Sequence, residues 1–340
     1  MADRVRWGVL GAAGIARIAL IPAMRAARNA RLAALASRDP AQAALDLAGL
    51  DVPRIVPGYE ALIHDPAIDA VYIPLPNHMH AEWAMRAADA GKAVLVEKPI
   101  GLDEAEARRV FDHCAARRAP VMEGFMYRFH PQHARVLQLI AEGVIGEVRE
   151  VRAHLSVDLM SGGDTGNVRF KPAWGGGTLL DMGCYTTEIA RMIFGCEPRS
   201  VRAWWDLDPD LGIDLTTVAI LDFGDGRVGT VSSSFKANAQ GRYEVIGTKG
   251  TIEVPRGIIP GLTTRVSETV IVVMDGDGHR REEELPAADH YQLMLEAFGD
   301  AILSGDPAPR TAAQSLGNMR VLDAIARAAR DGCPVPITDV

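Results

Sequence analysis

In the first third of the chain, apolar residues dominate short runs: Arg4 to Leu10, Arg31 to Ala36, Ala70 to Ile73 and Val94 to Val96. Runs of this length, bounded by turn residues, predict strands buried on both faces, as in a parallel sheet. Between them lie stretches of helical period, one to about Arg28 and another from Ala81 to Ala90. Strands alternating with helices up to about Val121 predict a doubly wound parallel sheet of the Rossmann type.

Past about Gly146 the pattern changes. Val151 to Asp158 alternates apolar and polar residues with period two, as a strand with one less buried face does. Gly224-Asp225-Gly226, Gly247-Thr248-Lys249-Gly250 and Asp275-Gly276-Asp277-Gly278 each separate β-branched runs, the mark of hairpin turns. This half is therefore expected to be a C-terminal α/β domain with a large, mostly antiparallel sheet. The last segment reads as a helix capped by Thr311, with Leu316, Met319, Leu322, Ile325 and Ala329 on one packing face and Gly332 as its stop. The 340 residues exceed what one core serves. We therefore expect two domains, 1–122 for a nucleotide and 123–340 for substrate and oligomerisation, with the C-terminal helix packing back near the first.

Composition removes several functions. A net charge of −8 with no basic face argues against nucleic acid. No apolar run is long enough to span a bilayer, and the first strand starts too near the N-terminus for a signal peptide. Cys114, Cys184, Cys196 and Cys333 are scattered without a C-x-x-C pair, as reduced cytoplasmic thiols are. No internal repeat or low-complexity stretch is evident.

The candidate chemistry sits at strand ends. Val94 to Glu97 runs into Lys98-Pro99, where α/β sheets place ligands, so Lys98 is a charge anchor or a catalyst. Gly11-Ala12-Ala13-Gly14-Ile15-Ala16 follows the first strand and opens a helix, the layout that cradles a pyrophosphate. Ala13 stands where a second glycine is usual, and its methyl moves the diphosphate outward. The second strand closes on Ser37-Arg38-Asp39, at the place of the adenosine ribose. A hydroxyl and a guanidinium there favour a 2′-phosphate and hence NADP, while Asp39 keeps NAD as the alternative. Pro74-Leu75-Pro76-Asn77-His78-Met79-His80 shapes a loop. Its two histidines lack an acidic or thiol partner nearby, so no metal is expected.

In this order, the glycine turn, Pro76-Asn77-x-x-His80 and Glu97-Lys98-Pro99 resemble the Gfo/Idh/MocA oxidoreductases, named for glucose-fructose oxidoreductase, inositol dehydrogenase and rhizopine catabolism. Glu123 to Gln132 is similar to the segment by which their NADP-dependent D-xylose dehydrogenases and dimeric dihydrodiol dehydrogenases enter the second domain. The resemblance spans essentially the whole chain. It implies cofactor contacts from Gly11, Ala12, Ala13, Ile15, Ala16, Ser37, Arg38, Pro74, Leu75, Asn77, His80, Glu97 and Lys98.

The resemblance also singles out Asp181-Met182-Gly183-Cys184-Tyr185, after Gly175-Gly176-Gly177. It implies Tyr185 as the proton-transfer residue. At i and i+4 a carboxylate and a phenol share a helix face. Tyrosine, with an ordinary pKa of roughly 10, needs a cationic neighbour to act as a base. Lys98 across the cleft would supply it. Asp181 would hold a substrate hydroxyl or orient Tyr185; the bland alternative is a core tyrosine and a helix cap. Tyr127 and Arg128 line the substrate cleft or clamp the domain junction, where His130 reads as packed. Asn167, Arg169 and Lys171 offer polar groups to sugar hydroxyls or are simply solvated. Trp174 stacks on a sugar or anchors its loop. Cys184 lacks a histidine partner.

The reading is an NADP-dependent, metal-independent oxidoreductase. It moves hydride between the nicotinamide and a sugar, polyol or cyclic diol carbon, with Lys98 and Tyr185 as acid-base pair. The alternatives are a keto-sugar or anhydro-sugar reductase, then a glycosidase with retained nicotinamide, and last a non-catalytic NADP sensor. Relatives pair their open sheets, which implies a homodimer or higher homo-oligomer.

Overall fold

The computed structural model describes residues 4–260 and 267–337. It separates into two compact units, residues 1–129 with 289–316 and residues 130–288 with 317–340. Residues 123–129 and 289–316 thus group with the first unit, whereas most of the C-terminal helix expected to pack near it groups with the second.

The first unit alternates β1 (Val5–Leu10), α1 (Ile21–Ala26), β2 (Ala30–Ser37), α2 (Pro40–Asp46), β3 (Ile55–Pro57) and α3 (Tyr59–Ile63). It continues through β4 (Ala70–Ile73), α4 (His80–Asp89), β5 (Ala93–Glu97), α5 (Glu104–Arg117) and β6 (Val121–Gly124). The six strands stand in the order β3-β2-β1-β4-β5-β6, all parallel. The order reverses between β1 and β4, and a sheet of this kind binds ligands beyond the carboxyl ends of its strands at that switch. All four β4 residues and the first four of β5 are buried, which explains their unbroken apolar sequence.

The second unit opens with α6 (Pro131–Ala141), β7 (Val148–Ser156) and α7 (Cys184–Phe194). Seven strands follow: β8 (Ser200–Leu207), β9 (Asp214–Gly224), β10 (Arg227–Ser234), β11 (Gln240–Gly247), β12 (Gly250–Val254), β13 (Ser267–Asp275) and β14 (Arg280–Ala288). Then come α8 (His290–Ser304), which returns to the first unit, α9 (Ala312–Asp331), within which the chain passes to the second, and β15 (Val335–Pro336). The second sheet has nine strands, in the order β14-β13-β12-β11-β7-β10-β9-β8-β15. Only β7 and β10 pair in parallel. All three glycine-rich segments form the turns expected of them.

Alternation gives this sheet two faces. Val151, Ala153 and Leu155 on β7 and Leu215, Ala219 and Leu221 on β9 are buried, on the side where α7 packs over β7 and β10. The opposite positions, Arg152, Trp204, Val218, Ile220 and Arg242 among them, are exposed.

In the first unit, Phe298 of α8 meets Trp7 of β1 with ring centroids 6.2 Å apart. Arg28 and Asn29 bond Asp300 at 2.9 and 2.8 Å. Thr311 and Gln314 form a reciprocal capping box, Gln314 N to Thr311 Oγ1 at 3.3 Å and Thr311 N to Gln314 Oε1 at 3.0 Å. Met319, Leu322 and Ile325 of the expected stripe are buried, as are the polar Ser315 and Asn318, while Leu316 and Ala329 are half-buried.

Candidate functional site

In the first unit the turn after β1 is held by Gly11 N donating to Ala36 O at 2.8 Å. Gly11 has φ +96°, a conformation that penalises any Cβ, and one there would also meet Leu75 Cδ2 at 3.2 Å. A Cβ on Gly14 would meet no atom within 4 Å. Helical residues then run from 14 to 26, with a π-helical stretch at Ala16–Leu20. The first amides of a helix lack intrahelical acceptors. Open space beside them is the cradle a diphosphate needs, so these residues fit a dinucleotide.

At the end of β2, Asp39 is engaged by the next helix. It is the N-cap of α2, its Oδ1 accepting from Gln42 N at 3.0 Å. Ser37 Oγ accepts from Asp39 N at 3.1 Å and donates to Asp39 O at 2.9 Å. Arg38 stands exposed beside them.

In the loop after β4, Pro74 and Leu75 are buried, Asn77 opens a short 3₁₀ turn and His80 begins α4. The His80 ring is enclosed, with Nδ1 2.7 Å from Pro99 O and Nε2 2.7 Å from Leu75 O. Burial foremost, with the charges of Lys98 and His78, pushes it down to about 4 against those carbonyls. Tyr72 OH donates to Glu97 Oε1 at 2.7 Å, and burial raises the Glu97 carboxyl. Lys98 follows, half-buried, through a cis peptide to Pro99. Tyr127 is fully buried, edge-on to Phe125 at 6.2 Å, and Arg128 is half-buried in the same 3₁₀ turn, Met126–Phe129.

In the second unit Tyr185 is 5 % exposed in the first turn of α7. Asp181 lies one turn earlier in a π-helical segment, Leu179–Gly183, rather than in the regular helix expected. Asp181 Oδ2 accepts from Arg169 Nε at 2.7 Å. Asp181 first, and also Tyr185, holds the guanidinium above its ordinary value. Arg169 is therefore tied to the segment that carries Asp181 and Tyr185, and is not a merely solvated loop residue.

The triple glycine is dictated by this packing. Lys171 O accepts from Trp174 N and Gly176 N, each at 3.0 Å, and a Cβ on Gly176 would come within 2.6 Å of Arg169 O. Gly177 has φ +107°, and a Cβ there would collide with Asp214. Asp214 of β9 accepts from Leu179 N at 2.7 Å and Thr217 Oγ1 at 2.7 Å, capping the start of the π-turn. Burial pushes its carboxyl up to about 6. Lys171 and Trp174 are exposed on the loop, Trp174 at 41 %. Cys184 is buried with its thiol 3.6 Å from Asp181 O. His130 is the buried N-cap of α6.

Sequence reasoning did not single out Asp214, Tyr72 or the Arg169–Asp181 pair. Among the described residues, the three-ligand cluster is Asp275, Asp277 and His279 on the exposed β13–β14 turn. There Asp275 Oδ1 accepts from Asp277 N at 3.0 Å and His279 N at 2.9 Å. No helix among the described residues is long and apolar enough to cross a membrane.

Comparison with known proteins matches both halves. Residues 5–125 match the oxidoreductase family with an NAD-binding Rossmann fold, and residues 133–253 match the GFO/IDH/MocA C-terminal domain. An uncharacterised oxidoreductase of Rhizobium meliloti is 38% identical over 335 residues, 97% of this chain and 98% of that one. D-xylose 1-dehydrogenase (NADP(+)) 2 of Haloferax volcanii is 35% identical over 302 residues, 89% and 90% of the two chains. Among solved structures, KijD10, a 3-ketoreductase of Actinomadura kijaniata in complex with NADP and TDP-benzene, has a TM-score of 0.89 at 32% identity, covering 96% of this chain and 98% of its own. With the six-stranded Rossmann sheet, the nine-stranded sheet and these matches in hand, the chain belongs to the GFO/IDH/MocA family of oxidoreductases.

Proposed function

We propose that this oxidoreductase uses NADP to oxidise a sugar, polyol or cyclic diol carbon, as an aldose 1-dehydrogenase or dihydrodiol dehydrogenase does. The observation that carries the reading is the buried phenol of Tyr185 within electrostatic reach of Arg169, itself ion-paired to Asp181, an acid-base group on the unit that does not hold the nucleotide. NADP is favoured because Asp39 is committed to capping α2 while Arg38 stands exposed. The NADP-dependent xylose dehydrogenase among the relatives supports the same choice.

When bound, the nicotinamide supplies the hydride acceptor. Tyr185 takes the proton from the substrate hydroxyl, and Lys98 donates a hydrogen bond to the same oxygen, favouring the charge that develops there. Arg169 stabilises the phenolate form through its charge, and Asp181 holds Arg169 in place. Tyr127, Arg128, Lys171 and Trp174 are the remaining candidate substrate contacts. No step requires a metal. The open face of the nine-stranded sheet is proposed to pair with a second copy, and the enzyme to work in the cytoplasm.

A second reading, reduction of a keto-sugar by the same residues in reverse, is favoured by the likeness to the 3-ketoreductase KijD10. The deciding experiment is the initial rate of NADP and NAD reduction against aldoses, inositols and cyclic diols, beside Lys98→Ala and Tyr185→Phe. We expect turnover of NADP that falls roughly 10²–10⁴-fold in Tyr185→Phe, the usual share of general acid-base catalysis. Turnover of keto-sugars alone would select the reductase, and full activity in Tyr185→Phe would remove the phenol from the mechanism.

A further inference from the structure

Polar side chains from several elements converge on the four residues Glu97 to Ile100. Before Lys98, the Glu97 carboxylate accepts from Tyr72 at 2.7 Å. After it, Pro99 O lies 2.7 Å from His80 Nδ1, and Ile100 N donates to Glu123 Oε1 at 3.0 Å. Glu123 Oε2 in turn accepts from Arg310 Nε at 3.3 Å. Arg310 reaches Ser315 Oγ at 3.1 Å and stacks its guanidinium 4.2 Å from the centre of the Phe125 ring. His80 and Glu123 are each 1 % exposed and Arg310 is 4 % exposed.

A buried ion pair is an inefficient way to stabilise a fold, because desolvation of both charges offsets their attraction. Apolar side chains of similar volume would serve β6 and the segment before α9 at least as well. This pair instead holds a backbone amide two residues from Lys98. His80 likewise spends its ring on main chain, joining the loop after β4 to the one after β5, although a neutral imidazole donates to only one of its two carbonyls.

We propose that His80 and the Glu123–Arg310 pair are positioning residues for Lys98. They grip the Pro99–Ile100 peptide group from both sides, His80 at its carbonyl and Glu123 at its amide, and so fix the direction in which the Lys98 side chain leaves the sheet. The inference rests on the reading of Lys98 as the amine that meets the substrate oxygen. It gives His80, expected among the cofactor contacts, a different task. An error of about 1 Å in a reacting group can cost 10²-fold in rate, which is why such a lysine would need a rigid strap.

The test uses competitive acetylation of the whole protein across pH, with each lysine read by mass spectrometry. It compares wild type, His80→Leu and the volume-conserving pair Glu123→Gln/Arg310→Met. Lys236 and Lys249, both exposed, are internal references. Expected is a several-fold change in Lys98 reactivity in both variants, with the references unmoved, and a fall in kcat of roughly 10- to 100-fold. In the Glu123→Gln/Arg310→Met pair the KM for NADP should stay near wild type. An unchanged Lys98 profile in a folded variant overturns the proposal. Hydrogen exchange at the Ile100 amide of the wild-type protein gives a second reading that needs no variant to fold. Protection matching the β5 core supports the strap, and rapid exchange refutes it. If Lys98 reactivity responds while wild type turns over no sugar, the assigned reaction fails and the strap stands.

Discussion

At the scale of single residues, the cofactor preference turns on what Asp39 is doing. A carboxylate at the end of the second strand of a Rossmann sheet ordinarily takes the ribose 2′-hydroxyl, but here it caps α2 through Gln42 N. That leaves Arg38 as the charged group at the strand end. Loss of a charge-assisted bond costs about 1.5–3 kcal/mol. Arg38→Ala should therefore raise the KM for NADP roughly ten- to hundredfold and leave that for NAD nearly unchanged; steady-state kinetics with both cofactors would show it, and equal effects would remove Arg38 from the site. The tripeptide Ser37-Arg38-Asp39 was legible in sequence, but its ambiguity was not soluble there, because a side chain's choice between its own helix and a ligand is made by backbone direction. Arg169 was even less legible. A loop arginine looks solvated until its carboxylate partner twelve residues on is brought to 2.7 Å.

At the scale of elements, the segment entering α7 is built around glycines and a carboxylate from another strand. Gly177 at φ +107° leaves no room for a Cβ beside Asp214, whose carboxylate caps Leu179 N. Gly177→Ala should thus cost at least about 1–2 kcal/mol from the backbone conformation alone. Because it also displaces the cap, kcat should fall along with the melting temperature. Thermal unfolding beside turnover checks this, and a wild-type melting temperature would mean that the backbone relaxes at no cost. Elements with local causes were readable in advance. The hairpin glycines and Thr311 carry their reasons within a few residues, and the capping box with Gln314 completes the second of these. The π-turn was not readable, since nothing in Asp181 to Tyr185 distinguishes an i→i+5 turn from an α-helical one, and the groups that bond this segment, Asp214 and Arg169, come from outside it.

At the scale of the molecule, the nine-stranded sheet keeps an unusual outer face. Trp204, Val218 and Ile220, on adjoining strands, are 61, 36 and 49 % exposed, and beside them Arg152, His154, Arg242, Glu244 and Glu253 line a cleft of about 500 Å³. An apolar patch with a polar rim is the anatomy of a protein interface. Trp204→Glu with Ile220→Glu should convert a dimer or higher oligomer to monomer, measured by sedimentation at several concentrations; an unchanged mass would place the interface elsewhere. For this chain, the sequence by itself determined what depends on neighbours along it: the parallel and antiparallel halves, the glycine turn after the first strand, the Thr311 cap and the residue types available for chemistry. Only the tertiary structure decided which charges meet. Asp181 found Arg169, Glu123 found Arg310 across 187 residues of chain, and α8 returned to the first unit. Hydrophobic period fixes which face of an element is buried, whereas the partner of a buried charge depends on how separate elements pack, and no local pattern encodes that.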